Sequence, residues 1–302
     1  NRTKPDGSAP KCTEPLRAAP LRTGPIRAEH HRSAPRRTDP HRTDPICTAP
    51  HAPDCTDRKR CRPSHGRGWK STIIKFSIGW TKGGTVGGRQ PTGPGGAWLE
   101  PLTTLTWLAA RTDRIRLQTG ILLAALRRPV VLAKTAATLD VLSNGRLDLG
   151  VGVGWQAAEY EAAGLDFADR GRLLDHSLEV CRMLWAGEPT SYASNELAFG
   201  NVQSMPSPVN GNAVPIWISG TVNRRTARRL ATFGNGWFPW GGDRADVVGG
   251  IARMRNLQEE LGLDASAFEV QGSLPVICSD DGVVDLDRTM EGVVPLVEAG
   301  VT

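Results

Sequence analysis

The stretch from Ile115 to Glu159 constrains the fold of this 302-residue chain more than any other segment. Its first part, Ile115 to Leu122, is apolar with little room for a solvent-facing side, as in a strand that helices cover on both faces. Pro129 to Leu142 then follows helical spacing, with proline suited to the first turn. After a Ser-Asn-Gly helix stop, Arg146 to Val153 forms a second strand. The stretch predicts one βαβ crossover of a parallel sheet.

Three glycines mark the end of that second strand and its exit, at positions 150, 152 and 154. Glycine has no side chain, so a ligand can approach the backbone closely at such positions. Ligand sites of parallel α/β folds lie at the carboxyl ends of the strands. We therefore expect a site beside Gly152 and Gly154.

Strand-like and helix-like segments alternate through the rest of residues 71–302, which predicts an α/β fold with a parallel sheet. At 232 residues, this part is slightly shorter than the roughly 250 typical of an eight-stranded α/β barrel. The candidate strands are Ile73 to Gly79, Ile115 to Leu122, Arg146 to Val153, Ile216 to Ser219, Gly236 to Trp240 and Phe268 to Cys278. The candidate helices are Leu99 to Ala110, Pro129 to Leu142, Arg170 to Trp185, Asn223 to Thr232, Ala245 to Leu261 and Leu286 to Glu298.

Residues 1–70 differ from the rest in composition. They contain 16 Lys and Arg against 7 Asp and Glu, and prolines recur every five residues from position 5 to position 50, with His30 in the one gap. No helix or sheet ladder tolerates that period, and few apolar side chains are present to form a core. We expect a disordered, basic, proline-rich repeat segment ahead of a single domain, 71–302. A basic arm that contacts nucleic acid or acidic partners is the less favoured alternative.

The cysteines give no sign of a metal site. Cys47, Cys55, Cys61 and His65 lack the paired CxxC spacing of zinc ligands, so no metal is expected. Cys181 and Cys278 lie in apolar runs, which favours buried thiols over a disulfide. No signal peptide or membrane-spanning run is evident, and a cytoplasmic protein is the default expectation.

Two glycine-rich segments imitate nucleotide-binding motifs. GGTVGGRQ, from position 83 to 90, has Arg-Gln where a phosphate loop needs Lys and Ser or Thr. GVGVGW, from 150 to 155, has Trp155 where a dinucleotide-binding fold needs its third glycine. Neither a phosphate-loop enzyme nor a nicotinamide-binding Rossmann domain is expected.

A better phosphate site is predicted within PIWISGTVNRR, where a short strand ends at Ser219 and Gly220 and a helix begins near Asn223. The exposed amides of a helix start, with Arg224 or Arg225, can hold a phosphate dianion. An ordinary turn with two solvated arginines is the alternative. Trp237 and Trp240 come next in the sequence and are expected near the same rim. They are either walls of a cofactor site or packing residues, and the sequence alone favours packing.

Three blocks of sequence together resemble the bacterial-luciferase-like monooxygenases, particularly their deazaflavin-dependent (coenzyme F-420) branch. They are the run from LTTLTWLAARTDRIRL to LEVCRMLW, then PSPVNGNAVPIWISG, then GNGWFPW. The resemblance covers about 98–278. Each block alone is weak evidence, whereas their combination in this order is specific.

The resemblance implies a TIM-type (β/α)8 barrel that binds reduced coenzyme F-420, or FMN as the alternative, across the carboxyl ends of its strands. It further implies a non-proline cis peptide at Gly120-Ile121 and a phosphate-binding turn. The cofactor-binding residues expected from the residues and the resemblance are Gly120, Ile121, Gly152, Gly154, Ser219, Gly220, Thr221 and Trp240.

The departures from the family pattern predict an incomplete barrel. Only a glycine-rich segment, 81–97, stands where relatives have a helix and the second strand, and it cannot form that helix. The chain stops where the eighth strand would begin. No proton donor or base can be assigned. For His176 we expect a packed or solvated role, and for Asp148 and Glu159 barrel capping or a salt bridge.

These observations predict a flavin- or deazaflavin-dependent oxidoreductase that acts on a small organic substrate by hydride transfer or oxygen insertion. The expected assembly is a homodimer without membrane association. One alternative is an inactive or truncated barrel without catalysis. The other is nucleic-acid association through the basic tail.

Overall fold

The computed structural model describes residues 72–74, as backbone, and residues 99–211, 213–265 and 268–302. These residues belong to one compact unit, Arg67–Thr302. The predictions for the proline-rich tail, for its cysteines and for segment 81–97 lie outside the described residues.

The strands and helices alternate along most of the described chain. The strands are β1 (Thr72–Ile74), β2 (Leu117–Thr119), β3 (Leu147–Val151), β4 (Thr190–Ala193), β5 (Ala198–Val202), β6 (Ile216–Gly220), β7 (Gly236–Pro239) and β8 (Glu269–Val270). The helices are α1 (Pro101–Ala109), α2 (Pro129–Leu142), α3 (Ala157–Ala162), α4 (Arg170–Trp185), α5 (Arg224–Phe233), α6 (Gly242–Ala245), α7 (Val247–Glu260), α8 (Leu286–Glu291) and α9 (Val293–Glu298).

Six strands form one parallel sheet in the order β1-β2-β3-β6-β7-β8. The predicted α/β class with a parallel sheet is confirmed, and each of the six candidate segments contributes one strand. The antiparallel hairpin of β4 and β5 was not predicted. Its strands have alternating partial burial, because the hairpin packs on the outer surface of α4 rather than in the sheet.

The two edges of the sheet lie where the second and eighth strands of the family pattern were predicted to be missing. β1 pairs directly with β2, from Thr72 opposite Leu117 to Ile74 opposite Thr119, so no further strand lies between them. At the other edge Val301 forms a parallel bridge with Val270 of β8. The last residues therefore begin a seventh position in the sheet with a single residue pair. Among the described residues, the two edges of the sheet are not paired with each other.

The core lies between the sheet and the helices that cover it. All five residues of β3 are buried, as expected for a strand covered on both faces. α2 and α4 pack together, and the indole Nε1 of Trp185 donates to the carbonyl of Ala133 at 2.9 Å. Burial of a single leucine such as Leu132 or Leu178 contributes about 1.5–3 kcal/mol, so the packing of this helix pair stabilises the core.

Three finer predictions are wrong. Of the peptide bonds within the described residues, Met205–Pro206 is cis, whereas Gly120–Ile121 is trans. A cis bond without proline costs about 3 kcal/mol, and the turn at Gly120 is made with the cheaper trans form. The predicted helix 245–261 breaks at Asp246, whose φ of −124° and ψ of 78° are not helical. Cys278 is half-buried rather than fully buried.

The prediction for the other cysteine of the domain, Cys181, is confirmed. Cys181 is a buried free thiol, and burial raises its pKa. The helices that the structure describes include none that is long and apolar enough to cross a membrane. The same residues contain no cluster of three or more His, Cys, Asp or Glu side chains with the arrangement of a metal site.

Candidate cofactor site

The carboxyl ends of four parallel strands surround one cleft, which we call the cofactor cleft. It is built from residues that follow β2, end β6 and β7, or follow β8, because the carboxyl ends of parallel strands lie at the same edge of a sheet. Its lining residues are Gly120, Ile121, Ser219, Phe238, Pro239, Trp240, Arg244, Gln271 and Ser273.

Four predicted site residues line this cleft directly, namely Gly120, Ile121, Ser219 and Trp240. Gly152 lies beside two of them. A Cβ built on Gly152 would be 2.7 Å from Cγ2 of Ile121 and 3.4 Å from Cβ of Ser219. The structure therefore brings five of the eight predicted residues together around one concave surface.

The other three predicted residues have structural roles outside the lining. Gly154, at φ +70°, packs against the side chain of Leu123. Gly220 lies against Thr226 of α5, where a Cβ would be 2.8 Å from its Oγ1. Thr221 is exposed, and its carbonyl accepts a hydrogen bond from Nδ2 of Asn223 at 2.9 Å.

The helix start predicted to hold a phosphate is already capped. Asn223 is the N-cap residue of α5, and its Oδ1 accepts from the amides of Arg225 and Thr226, both at 3.0 Å. The amide of Val222 donates to Oδ2 of Asp243 at 2.7 Å. The expectation of exposed amides is therefore wrong for these three groups. Asparagine is a preferred N-cap residue, so the sequence contained the signal.

Aromatic side chains form the walls of the cleft. Phe238 and the half-exposed Trp240 line it, and the ring of Phe238 is 5.4 Å from that of Trp217. Trp237, by contrast, is fully buried and donates from its Nε1 to the carbonyl of Gly220 at 3.0 Å. Packing is thus confirmed for Trp237, while Trp240 has the position of a wall.

Gly150 allows the Phe238 wall to approach the sheet. A Cβ on Gly150 would lie 2.6 Å from Cε2 of Phe238 and 2.1 Å from the carbonyl oxygen of Thr119. Real Cβ atoms do not approach other atoms this closely, so only glycine fits between them. The missing side chain lets the aromatic ring lie directly against β3.

Gln271 supplies a polar group that the sequence reasoning missed. Its side-chain Oε1 is buried at the cleft and has no hydrogen-bond partner among the described residues. An unpaired buried acceptor costs roughly 1–3 kcal/mol, so this atom favours a ligand that offers an N–H group. The available signal was position alone, since Gln271 directly follows β8. Among the described residues, the cleft thus combines apolar aromatic walls with one unpaired buried acceptor.

The described lining of the cleft contains no Asp, Glu, His or Cys side chain. His176 lies on α4 with its Nδ1 3.0 Å from the hydroxyl of Tyr192, and burial lowers its pKa. Asp148 accepts a hydrogen bond from Nε of Arg116 at 2.6 Å. A packed role for His176 and a salt bridge for Asp148 are confirmed. Glu159 is buried in α3.

Comparison with known proteins agrees with this arrangement. The family model for luciferase-like monooxygenases matches residues 86–284, more than half of the chain. An uncharacterized protein of Mycobacterium bovis is 31% identical over 219 residues, which cover 72% of this chain and 70% of the relative.

Two solved structures show the same fold at low identity. One is an F-420-dependent secondary alcohol dehydrogenase in complex with an F-420-acetone adduct, with a TM-score of 0.54 at 19% identity. The match covers 68% of this chain and 60% of that one. The other is the oxygenating constituent of 3,6-diketocamphane monooxygenase of Pseudomonas putida in complex with FMN, with a TM-score of 0.54 at 17% identity. That match covers 74% of this chain and 62% of the other. On the evidence of the sheet, the cleft and these matches, the chain belongs to the luciferase-like monooxygenase family.

Proposed function

We propose that this protein is an oxidoreductase that uses reduced coenzyme F-420, with FMN as the alternative cofactor, on a small organic substrate. The gathering of Gly120, Ile121, Gly152, Ser219 and Trp240 around one cleft is the observation that carries the proposal. Family membership gives the class of chemistry. The two structural neighbours were solved with an F-420 adduct and with FMN, so both cofactors stay in the proposal.

The residues of the cleft have the properties that such a cofactor requires. Phe238 and Trp240 offer apolar surfaces to the faces of a ring, and the glycines at 120 and 152 leave room for its close approach. Gln271 offers an unpaired acceptor for an N–H group, and Arg244 offers a positive charge. When bound, reduced coenzyme F-420 would supply a hydride, whereas reduced FMN with molecular oxygen would supply one oxygen atom to the substrate while the second leaves as water. The chain positions the reactants and excludes water.

The second candidate is a barrel that binds cofactor without catalysis. The absence of any acid, histidine or cysteine from the described lining favours it, because these side chains are the usual proton donors and acceptors in catalysis. If such a chain did catalyse hydride transfer or oxygen insertion, the protons would have to come from water or from the substrate. A chain that binds the cofactor yet turns over none of a panel of alcohols, aldehydes and ketones would fit this second candidate.

Parallel titrations of the full chain with FMN and with coenzyme F-420, followed by tryptophan fluorescence, test the proposal. Saturable quenching is expected with at least one of them. Trp240→Phe should reduce the amplitude of quenching while saturation is retained, because Trp240 lines the cleft. Trp107→Phe is the matched control, since this exposed residue of α1 lies outside the cleft lining. Absence of quenching by both ligands would refute the proposal.

The remaining expectations belong to the same proposal. We expect a homodimer, which sedimentation of the purified chain would detect, and a cytoplasmic location. Binding of nucleic acid through the basic tail is the disfavoured alternative, and steeply salt-dependent DNA binding by residues 1–70 alone would support it.

A further inference from the structure

The described lining of the cofactor cleft contains a single charged residue, Arg244. The other polar side chains of that lining belong to Ser219, Gln271 and Ser273, which are neutral. An arginine side chain is always protonated in a protein. The cleft therefore presents one positive charge beside its aromatic walls, without a negative charge from its own described residues.

The two aspartates nearest to Arg244 in the sequence are engaged elsewhere. Asp243 accepts from Arg253 at 2.8 Å and from a main-chain amide at 2.7 Å, so both of its oxygens have partners. Asp246 likewise accepts from Arg253 at 3.1 Å and from a main-chain amide of α7 at 3.0 Å. Arg253 thus pairs with both carboxylates. Among the described residues, no carboxylate lies within ion-pair distance of Arg244.

The turn after β7 places Arg244 close to the Trp240 wall. Gly241 follows Trp240 and has a φ of +60°, a conformation that glycine adopts readily. The short helix α6 begins directly after it, and the amide of Arg244 donates to the carbonyl of Gly241 at 3.2 Å. One helical turn therefore separates Trp240 from Arg244, and both line the same cleft.

This position suits an anionic group of the substrate better than the phosphate of the cofactor. In FMN and in coenzyme F-420, a ribityl chain separates the ring from the phosphate. With the ring against Phe238 and Trp240, as proposed above, the phosphate lies beyond that chain, whereas Arg244 lies one turn from Trp240. The charge of Arg244 is therefore at the ring end of the cleft, where a substrate must meet the ring.

The polar groups of the cleft match a carboxylate. A guanidinium can donate two parallel hydrogen bonds to the two oxygens of a carboxylate. The hydroxyls of Ser219 and Ser273 have no hydrogen-bond partner among the described residues and can donate to the remaining lone pairs. One positive charge balances one carboxylate, whereas a phosphate dianion would leave a negative charge without a partner beside apolar walls.

We propose that Arg244 selects a substrate that carries a carboxylate on an apolar body. This inference rests on the function proposed above and deepens it, because it names the class of substrate as an organic acid. The apolar body lies between the aromatic walls and the ring of the cofactor, and the carboxylate pairs with Arg244. Arg244 is in this sense a specificity residue, and it takes no part in the transfer of hydride or oxygen.

Isothermal titration calorimetry of the full chain tests this role. The chain is first saturated with whichever of FMN and coenzyme F-420 quenches its tryptophan fluorescence. The probes are benzoate and phenylacetate, with benzamide and phenylacetamide as neutral counterparts of similar shape. Arg244→Gln removes the charge, whereas Arg244→Lys keeps the charge without the planar fork. Arg114→Gln is the matched control, because this exposed arginine precedes β2 and so lies at the opposite edge of the sheet.

The unmodified chain should bind each carboxylate about fivefold more tightly than its amide, as expected for one ion pair at a partly exposed position. Arg244→Gln should abolish this preference, Arg244→Lys should retain part of it, and Arg114→Gln should retain all of it. The affinity for the cofactor should change less than about twofold in all three variants.

Three outcomes would count against the proposal in different ways. Carboxylates that bind no more tightly than their amides, or a preference that survives Arg244→Gln, would overturn the inference while cofactor binding, and with it the proposed function, stands. A loss of cofactor affinity in Arg244→Gln without loss of the carboxylate preference would also overturn it, since Arg244 would then serve the cofactor. If neither cofactor binds to the unmodified chain, the proposed function fails and the inference fails with it.

Discussion

Gly150 of β3 faces the main-chain carbonyl of Thr119 so closely that a Cβ at this position would lie 2.1 Å from the oxygen. The same Thr119 donates from its Oγ1 to the carbonyl of Gly150 at 2.8 Å. Two neighbouring strands are thus held together at the base of the cofactor cleft by a contact that only glycine permits.

Gly150→Ala should therefore destabilise the protein by about 3 kcal/mol, because neither backbone can move away without breaking the sheet. Chemical denaturation of the variant measures this loss. Gly242→Ala is the control, since a Cβ there meets nothing within 4 Å, and it should change stability little. A Gly150→Ala protein as stable as the unmodified chain would show that the strands are not packed as described.

Gly152→Val should act on ligand binding more than on stability. Its Cβ would lie 2.7 Å from Cγ2 of Ile121, so the Ile121 side chain, which lines the cleft, must shift. We expect cofactor affinity to fall about tenfold, the equivalent of 1.4 kcal/mol, with a smaller loss for Gly152→Ala. Fluorescence titration and thermal unfolding of the same samples separate the two effects. Normal cofactor binding by the Gly152→Val variant would show that Gly152 is not part of the site.

The parallel sheet followed from the sequence because hydrophobic runs, helix stops and strand-end glycines are local signals. α2 and α4 begin and end where their periodicity predicted. The gathering of Gly120, Ser219 and Trp240 followed from a general rule, that carboxyl ends of parallel strands share an edge.

The predictions that were wrong or incomplete concerned residues whose roles are set by contacts with other elements of the fold. Gly220 has the composition of a ligand-binding turn, yet it is needed for packing against Thr226. The amide of Val222 is occupied by Asp243, a residue 21 positions away. Gln271 follows a short strand with no pattern of its own, and only the assembled cleft reveals its unpaired oxygen. Such contacts leave no periodicity in the sequence.

Gln271→Leu should have opposite effects on stability and binding. Removal of a buried acceptor without a partner should leave the free protein unchanged or more stable by about 1 kcal/mol, whereas loss of the bond to a cofactor N–H should weaken binding. Gln258→Leu is a matched control, because its buried amide in α7 also lacks partners among the described residues but lies outside the cleft lining. It should share the effect on stability and leave affinity unaltered. Equal affinities of both variants and the unmodified chain would contradict a binding role for Gln271.

The contact between His176 and Tyr192 should make stability depend on pH near neutrality. Burial lowers the pKa of His176 in the folded state below its ordinary value of 6.5. The unfolded chain then takes up a proton at this site at higher pH than the folded chain. The contribution of His176 to the free energy of unfolding should therefore be greatest above pH 6.5. It should decrease as the pH falls below that value, until the histidine of the folded chain is protonated too. Tyr192 also donates to Glu179 at 3.0 Å, so protonation of His176 disturbs a small network that joins the hairpin to α4.

The measurement is urea unfolding of the full chain and of His176→Gln between pH 5 and pH 8. Because all other histidines are common to both proteins, the difference between the two curves isolates His176. A difference that does not vary with pH, or that grows in favour of the unmodified chain on acidification, would contradict the lowered pKa.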